Sequence, residues 1–308
     1  MSIRFGATII QAVSYPHLLD DIRFADSIGL DNAWVIDQFE IDGVPQVPML
    51  EAWTTLAAVA QATERIRLGT LVTNVAMRNP AVLAKSILTV DQISGGRVEA
   101  AVGGGYYPAE HEALGVDFLD GRGRTRRLRE AVAILDRALR GDVVSHDGEH
   151  FRITDATFRP LPTQHPRPPL WVAAQAPASL RTAVEHADAV VTLGEANQPA
   201  DVSLPAFRAR MERLDELCVE VGRDPASLRR CYYTGWADEP FFASVDATAD
   251  LVGRYVAAGA TDFAFYLHNP AEPLFDSLLA SHRMATRDQF ERTAAEVFPS
   301  FRNVDGHR

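Results

Sequence analysis

The sequence predicts an α/β fold, a (β/α)8 TIM barrel carried by a single domain over residues 1–308. Two observations lead there. Eight short runs, apolar almost throughout and rich in β-branched or aromatic residues, read as strands buried on both faces. Between them lie amphipathic helical patterns, and no flexible linker or composition break interrupts the alternation. Alternating strand and helix units within about 300 residues match a closed barrel of parallel strands. An open doubly wound sheet is the competing arrangement, and eight evenly spaced units would make it very wide.

In chain order the strand candidates are 3–9 (IRFGATI), 32–36 (NAWVI), 66–73 (IRLGTLVT), 98–104 (VEAAVGG), 169–174 (PLWVAA), 189–194 (AVVTLG), 229–236 (RRCYYTGW) and 262–267 (DFAFYL). The helical candidates are 18–28, 52–62, 81–93, 122–139, 179–185, 205–221, 247–258 and 287–298. The helix at 122–139 is the clearest. Leu128, Val132, Leu135 and Leu139 recur at three- and four-residue spacing, and Gly141 follows as a stop. Residues 143–162 break the rhythm with two short alternating runs around Asp147-Gly148, which predicts a small hairpin inserted before strand five.

Composition narrows the function. A formal net charge of −11 argues against nucleic acid and anionic membranes as partners, since both demand a basic face. A small-molecule substrate is expected instead, an anionic one wherever arginines gather. No apolar run approaches the ~20 residues of a membrane span. Cys218 and Cys231 form no disulfide framework, and the opening MSIRFGATII lacks a signal-peptide pattern, so the expected location is cytoplasmic. The histidines show no metal-ligand spacing, and there is no G-x-S-x-G elbow. No metal is expected.

Barrel enzymes place their chemistry at the C-terminal ends of the strands. The residues there are DQFE (37–40) after strand two, LVTNV (71–75) at strand three, GGGYYPAEH (103–111) after strand four and AAQAPAS (173–179) after strand five. The glycines of the third stretch read either as a phosphate cradle or as a plain turn, because the spacing is not G-x-G-x-x-G. The small residues of the fourth, with Pro177 and Ser179, suit a phosphate seat at a helix N-terminus and equally an ordinary cap.

The stretches RIRLGTLVT, RNPAVLAKSILTVDQISGGRVEAAVGGGYYPAEHEALGV, DGEHFRITDATFRPLPTQHPRPPLWVAA, AVEHADAVVTLG and EVFPSFR together resemble the luciferase-like family of flavin and deazaflavin oxidoreductases. The resemblance covers nearly the whole chain. It implies a homodimeric barrel that holds reduced FMN, or its deaza analogue coenzyme F420, in the barrel mouth. The compact length and short loops resemble the F420 branch. By the same resemblance, strand three ends in a bulge with a non-prolyl cis peptide at Leu71–Val72. Leu71, Val72 and Thr73 then back the cofactor ring, and Asp37 and Gln38 hold the ring or the substrate. Gly105 and Tyr106 line the reacting face, Ala173, Ala174, Gln175 and Ala176 present backbone groups to the phosphate, and Thr192 assists.

Two departures bear on the reaction. The family's F420-dependent sugar-phosphate dehydrogenases carry Asp-His-Phe after strand two, where this chain has Asp37-Gln38-Phe39. They also carry a glutamate where this chain has Tyr106. Glutamine does not titrate near neutral pH and cannot act as a general base. The expectation is therefore a reductase passing hydride from reduced F420 to an electron-poor C=C, C=N or C=O bond. Tyr106, Glu110 and Glu40 are the candidate proton donors, with helix capping or a dimer-side carboxylate as the other reading of Glu110. Two alternatives stay open: an FMNH2-dependent monooxygenase, and a non-catalytic flavin-binding relative.

Overall fold

The computed structural model describes residues 1–41, 44, 46–268 and 276–302. The strands are β1 (Arg4–Thr8), β2 (Asn32–Val35), β3 (Arg67–Asn74), β4 (Val98–Gly103), β5 (Val144–Asp147), β6 (Arg152–Ala156), β7 (Leu170–Ala173), β8 (Ala189–Leu193), β9 (Arg229–Tyr233), β10 (Asp262–Leu267) and β11 (Met284–Ala285). The helices are α1 (Tyr15–Ser27), α2 (Ala52–Ala62), α3 (Pro80–Ser94), α4 (Pro108–Ala113), α5 (Gly121–Leu139), α6 (Pro177–His186), α7 (Ala200–Glu220), α8 (Val245–Ala257), α9 (Asp276–Ala280), α10 (Arg287–Glu296) and α11 (Phe298–Arg302).

The strand order is β1-β2-β3-β4-β7-β8-β9-β10-β11, and β1 also pairs with β10. The eight expected strands thus close into a parallel barrel, with β11 a two-residue addition beside β10. β5 and β6 form the expected antiparallel hairpin, with Asp147 opposite Arg152. Packing divides the chain into two compact units, Met1–Trp34 with Ala189–Arg308, and Val35–Asp188.

The first unit is built on aromatic rings. Phe5 stacks on Phe298 at 3.8 Å between centroids, and Phe263 and Phe265 continue the stack. Tyr232, Tyr255 and Phe207 pack beside the buried Glu239, to which both tyrosine hydroxyls donate.

In the second unit, α3 begins at Pro80 behind an Asn79 cap and ends on Gly95 in the left-handed conformation. The Arg97 guanidinium collects the carbonyls of Ala60, Thr63, Ile66 and Ser94, closing the carboxyl ends of α2 and α3.

Some boundaries differ from expectation for local reasons. The helix expected from Pro205 begins at Ala200, because a proline in the second turn forfeits one N–H without stopping the coil. The expected 287–298 helix breaks before Phe298 into α10 and α11, with Pro299 in the second piece. α4 is absent from the eight predicted helices; Pro108 starts it, and it is too short to show a period.

The inserted hairpin hangs on one side chain. The Glu130 carboxylate on α5 accepts the backbone N–H groups of Glu149 (3.0 Å), His150 (3.1 Å) and Phe151 (3.1 Å), and it meets His146 Nε2 at 3.2 Å. These hydrogen bonds outweigh its burial and hold its pKa below the ordinary value. Glu130→Ala strips the hairpin turn of its acceptor and should lower stability by about 1–3 kcal/mol in denaturant melts. The wild type should lose this contribution as pH falls through the carboxylate range, and the variant should not.

Candidate functional site

The site is built at the carboxyl ends of β2, β3 and β4, all within the second unit. β3 leaves the regular ladder there. Thr70 pairs with Ala100 and Thr73 with Val102, so the register slips between them and Leu71–Val72 bulges out. The Leu71–Val72 peptide is cis, as the family resemblance implied. Both flanking hydroxyls are used internally. Trp53 Nε1 donates to Thr73 Oγ1 at 3.0 Å, and Thr73 Oγ1 lies 2.6 Å from Thr70 Oγ1. With those groups satisfied, the bulge offers two aliphatic side chains, Leu71 buried and Val72 half-buried.

Gly103 is what admits the bulge. A Cβ at Gly103 would lie 2.6 Å from Val72 Cγ2 and 3.3 Å from the Ala173 side chain. Val72, Gly103 and Ala173 therefore meet, which brings the first residue of the 173–176 stretch to the bulge.

The end of β2 is clamped to the end of β3 by Asp37, which is 5% exposed. Arg78 grips it in a two-point fork, Nε to Oδ2 at 2.9 Å and Nη2 to Oδ1 at 2.5 Å, while the Asn74 N–H donates to Oδ2 at 3.2 Å. Arg78 also reaches Glu51, the N-cap of α2, at 2.5 Å. Burial opposes the Arg78 charge, but the two carboxylates outweigh it and hold its pKa above the ordinary value. Asp37 thus has little capacity left for a substrate. It positions its neighbours.

The end of β4 turns through Gly105 at φ 79°, where a Cβ would lie 2.7–2.9 Å from the Asn74 side chain and His111 Nε2. Asn74 Nδ2 faces the fully buried His111 Nε2 at 3.2 Å, and His111 Nδ1 faces the Asp117 carbonyl at 3.3 Å. An amide donor on one nitrogen and a carbonyl acceptor on the other fit a neutral ring protonated at Nδ1. Burial pushes the His111 pKa down as well.

Two contacts tie the β2 exit to this loop. Gln38 Nε2 donates to the Tyr106 hydroxyl oxygen at 2.9 Å, and the Phe39 N–H donates to Glu110 Oε1 at 2.7 Å. Glu110 is 3% exposed. Burial pushes its carboxyl up, and the charges of Asp37 and Glu40 add to this, against the N–H groups of Phe39 and Glu40.

Asp37, Gln38, Leu71, Val72, Thr73, Gly105, Tyr106, Glu110 and Ala173 are thus joined through this set of contacts. Ala174 is buried, and exposed Gln175 and Ala176 lead into α6, where Ser179 Oγ accepts the Ala176 N–H at 3.2 Å. Thr192 belongs to the other unit, buried in β8 with its hydroxyl on the Cys231 carbonyl at 3.3 Å. Among the described residues no group of His, Cys, Asp and Glu is arranged to hold a metal.

Sequence reasoning missed the cationic pair on α5. Arg127 is 7% exposed, donates to the Asp117 carbonyl at 3.2 Å, and leaves Nε and Nη2 buried without a hydrogen-bond partner. Arg124, one turn earlier, lies 4.4 Å over the Phe118 ring, and its backbone is 3.5 Å from where a Gly104 Cβ would stand. Burial and the Arg124 charge push the Arg127 pKa down. The arginine-rich run was visible as a helix, but which arginine turns inward depends on tertiary packing.

The sequence profile of the luciferase-like monooxygenase family matches residues 1–297. The chain is 28% identical over 264 residues to the 5,10-methylenetetrahydromethanopterin reductase of Methanolobus tindarius, covering 86% of this chain and 74% of that protein. It is 34% identical over 195 residues to the F420-dependent glucose-6-phosphate dehydrogenase of Kineococcus radiotolerans, covering 61% and 56% of the two chains. The coenzyme F420-dependent tetrahydromethanopterin reductase from Methanopyrus kandleri superposes with a TM-score of 0.77 at 20% identity, over 98% of this chain and all of that one.

Two outcomes follow from this geometry. Asp37→Asn leaves Arg78 without half of its fork and should lower stability by about 2–4 kcal/mol, read as a shifted denaturation midpoint. For Glu110, a pKa raised above 4.5 in the folded state means that the native protein holds the proton longer than the unfolded chain. Stability should therefore fall as pH rises from about 4.5 toward the folded-state value, and Glu110→Gln should flatten that slope.

Proposed function

The chain belongs to the luciferase-like monooxygenase family, and we propose that it is an F420-dependent oxidoreductase working as a reductase on an electron-poor C=C, C=N or C=O bond of a small organic substrate. The observation that carries the cofactor assignment is the aliphatic Leu71–Val72 bulge seated on Gly103, with Gly105 turning the chain against Asn74 at the end of the same strand. The relative named as an F420-dependent dehydrogenase, matched over 61% of this chain, supports the same cofactor, and the similarity to a methylenetetrahydromethanopterin reductase over 86% of it supports the reductive direction.

The residues fit such a group. Leu71 and Val72 would back the ring, Gly105 and Tyr106 would border its reacting face, and Thr73 would lock the bulge through Trp53. The unpartnered Arg127 nitrogens, with Arg124, offer charge for an anionic arm, and Ala173 to Ala176 offer backbone close to the start of α6. When bound and reduced, F420 supplies a hydride and, with carbon in place of the flavin's reactive nitrogen, does not activate oxygen.

The chain's own residues do the rest. Asp37, held by Arg78, fixes the loop from which Gln38 projects, and Glu110 fixes the next peptide. Gln38 holds the Tyr106 hydroxyl without exchanging protons near neutral pH. A dehydrogenase needs a base at this point. Glutamine does not provide one, and this favours the reductive direction.

We also assign the protein to the cytoplasm, with the buried Cys218 and Cys231 thiols, not joined in a disulfide, in keeping, and to a homodimer. No helix among the described residues is long and apolar enough to cross a membrane.

Isothermal titration with F420 and with FMN tests the cofactor. F420 should bind more tightly, and tight FMN binding with no F420 binding would overturn the assignment in favour of an oxygen-using reaction. Arg127→Leu should weaken F420 binding by about tenfold or more, since a charge-assisted contact contributes about 1.5–3 kcal/mol.

A further inference from the structure

We propose that Gln38 and Tyr106 form a proton-donating pair, with Tyr106 the catalytic acid and Gln38 its positioning residue. The proposal deepens the reductase reading and rests on it for the identity of the hydride donor. It also names the substrate class: a carbonyl, an imine, or a C=C bond conjugated to one, whose oxygen or nitrogen takes the phenolic proton.

The direction of one hydrogen bond carries the assignment. The Gln38 amide donates into the Tyr106 oxygen at 2.9 Å. Negative charge that develops on that oxygen as the phenol gives up its proton is therefore met by an N–H already in place. Tyr106 is about half exposed (52%), and its hydrogen bond to Gln38 lies at the protein surface.

The pair is held from both sides. Gln38 sits between two anchored neighbours, Asp37 in the Arg78 fork and Phe39 with its N–H on Glu110. Tyr106 follows the left-handed Gly105 and leads into α4, whose Glu110 makes that second anchor. Glu110 and Tyr106 thus lie four residues apart on one segment and grip adjacent residues of the β2 exit. The charged or titratable groups on the segments that meet here are Asp37 and Glu40 after β2, Arg78 after β3, and Tyr106, Tyr107, Glu110, His111 and Glu112 in and before α4. Asp37 is taken up by Arg78, and His111 lies between Asn74 and the Asp117 carbonyl. Glu110 is committed to backbone N–H groups. Of these groups, Tyr106 is the one whose hydroxyl oxygen receives the Gln38 N–H.

The step balances. The substrate carbon accepts a hydride from reduced F420 and gains the new C–H bond with both electrons. The oxygen or nitrogen of the substrate takes the proton of Tyr106, whose O–H bond breaks. The phenolate, held by the Gln38 N–H, is reprotonated by solvent water.

The first test needs no cofactor. In protein labelled with 13C at tyrosine Cζ, the Tyr106 resonance is identified by its loss in Tyr106→Phe and followed with pH. It should titrate at higher pH in Gln38→Leu than in the wild type, and higher again in Gln38→Glu, where a carboxylate faces the phenol. Coincident titrations in all three proteins would overturn the pair.

The second test is anaerobic stopped-flow reoxidation of reduced F420 by 2-cyclohexen-1-one. Tyr106→Phe should bind F420 like the wild type and react about 10²–10⁴-fold more slowly. Gln38→Leu should lose about tenfold, roughly one hydrogen bond. Equal rates in wild type and Tyr106→Phe, zero included, would overturn the acid role. Absence of F420 binding by the wild type would instead overturn the cofactor reading, leaving the tyrosine titration to decide the pair.

Discussion

The Arg78–Asp37 fork is the constraint on which the site depends. Three barrel strands end in loops that have no ladder partner of their own, and a loop held only by its chain ends would sample many conformations. Asp37 ties the β2 exit to the β3 exit through a two-point ion pair and the Asn74 N–H. Asn74 then continues to His111, and so to α4 after β4. One connected polar path therefore sets the relative positions of the aliphatic bulge, Gln38 and Tyr106. A buried ion pair often contributes little net stability, since desolvation offsets attraction. Its contribution here is better understood as geometry. Rigid support beneath a reacting surface reduces the reorganisation needed in the transition state.

The same logic explains why so many polar groups at these strand ends do no chemistry. Thr70, Thr73 and Trp53 satisfy one another, Asn74 and His111 do likewise, and Glu51 is shared between the α2 cap and Arg78. Each buried polar atom left unpaired would cost about 1–3 kcal/mol, so internal pairing is the default. Against that background, the buried Arg127 nitrogens without partners stand apart. A cation buried beside a second cation, with a carbonyl and the charge of Asp117 as its partial compensation, is better satisfied when a further anion completes it.

The fold was largely legible because barrel strands advertise themselves. Strands buried on both faces must be apolar without alternation, and the helices between them must carry a stripe, so all eight strand units could be read within a residue or two at most ends. The hairpin was legible from Asp147-Gly148 and its alternating flanks. α4 was not, because six residues show no period. The site divided differently. Gln38, Tyr106, Gly105 and the Leu71–Val72 bulge were accessible through family resemblance combined with position at strand ends. Arg78, Asn74, His111 and Arg127 were not, since each looks like an ordinary loop or helix residue until packing shows which atoms it meets. Asp37 was found as a residue to hold the ring or the substrate, whereas its grip on Arg78 and Asn74 is a matter of packing that the sequence did not show.

The exchange of a titrating pair for Gln38 and Tyr106 has a consequence for direction that goes beyond loss of a base. An oxidation must remove a hydroxyl proton before or with hydride departure, and so requires a group that is vacant at working pH. A phenol is protonated under those conditions, and an amide neither gains nor loses a proton. In the proposed reaction such a pair would be loaded for donation at neutral pH. Since the two side chains are held by a backbone that Asp37 and Glu110 fix independently of the cofactor, this polarity belongs to the chain itself. In the proposed reaction, hydride would come from the cofactor and the proton from the Tyr106 hydroxyl, so that the two supplies would have different sources.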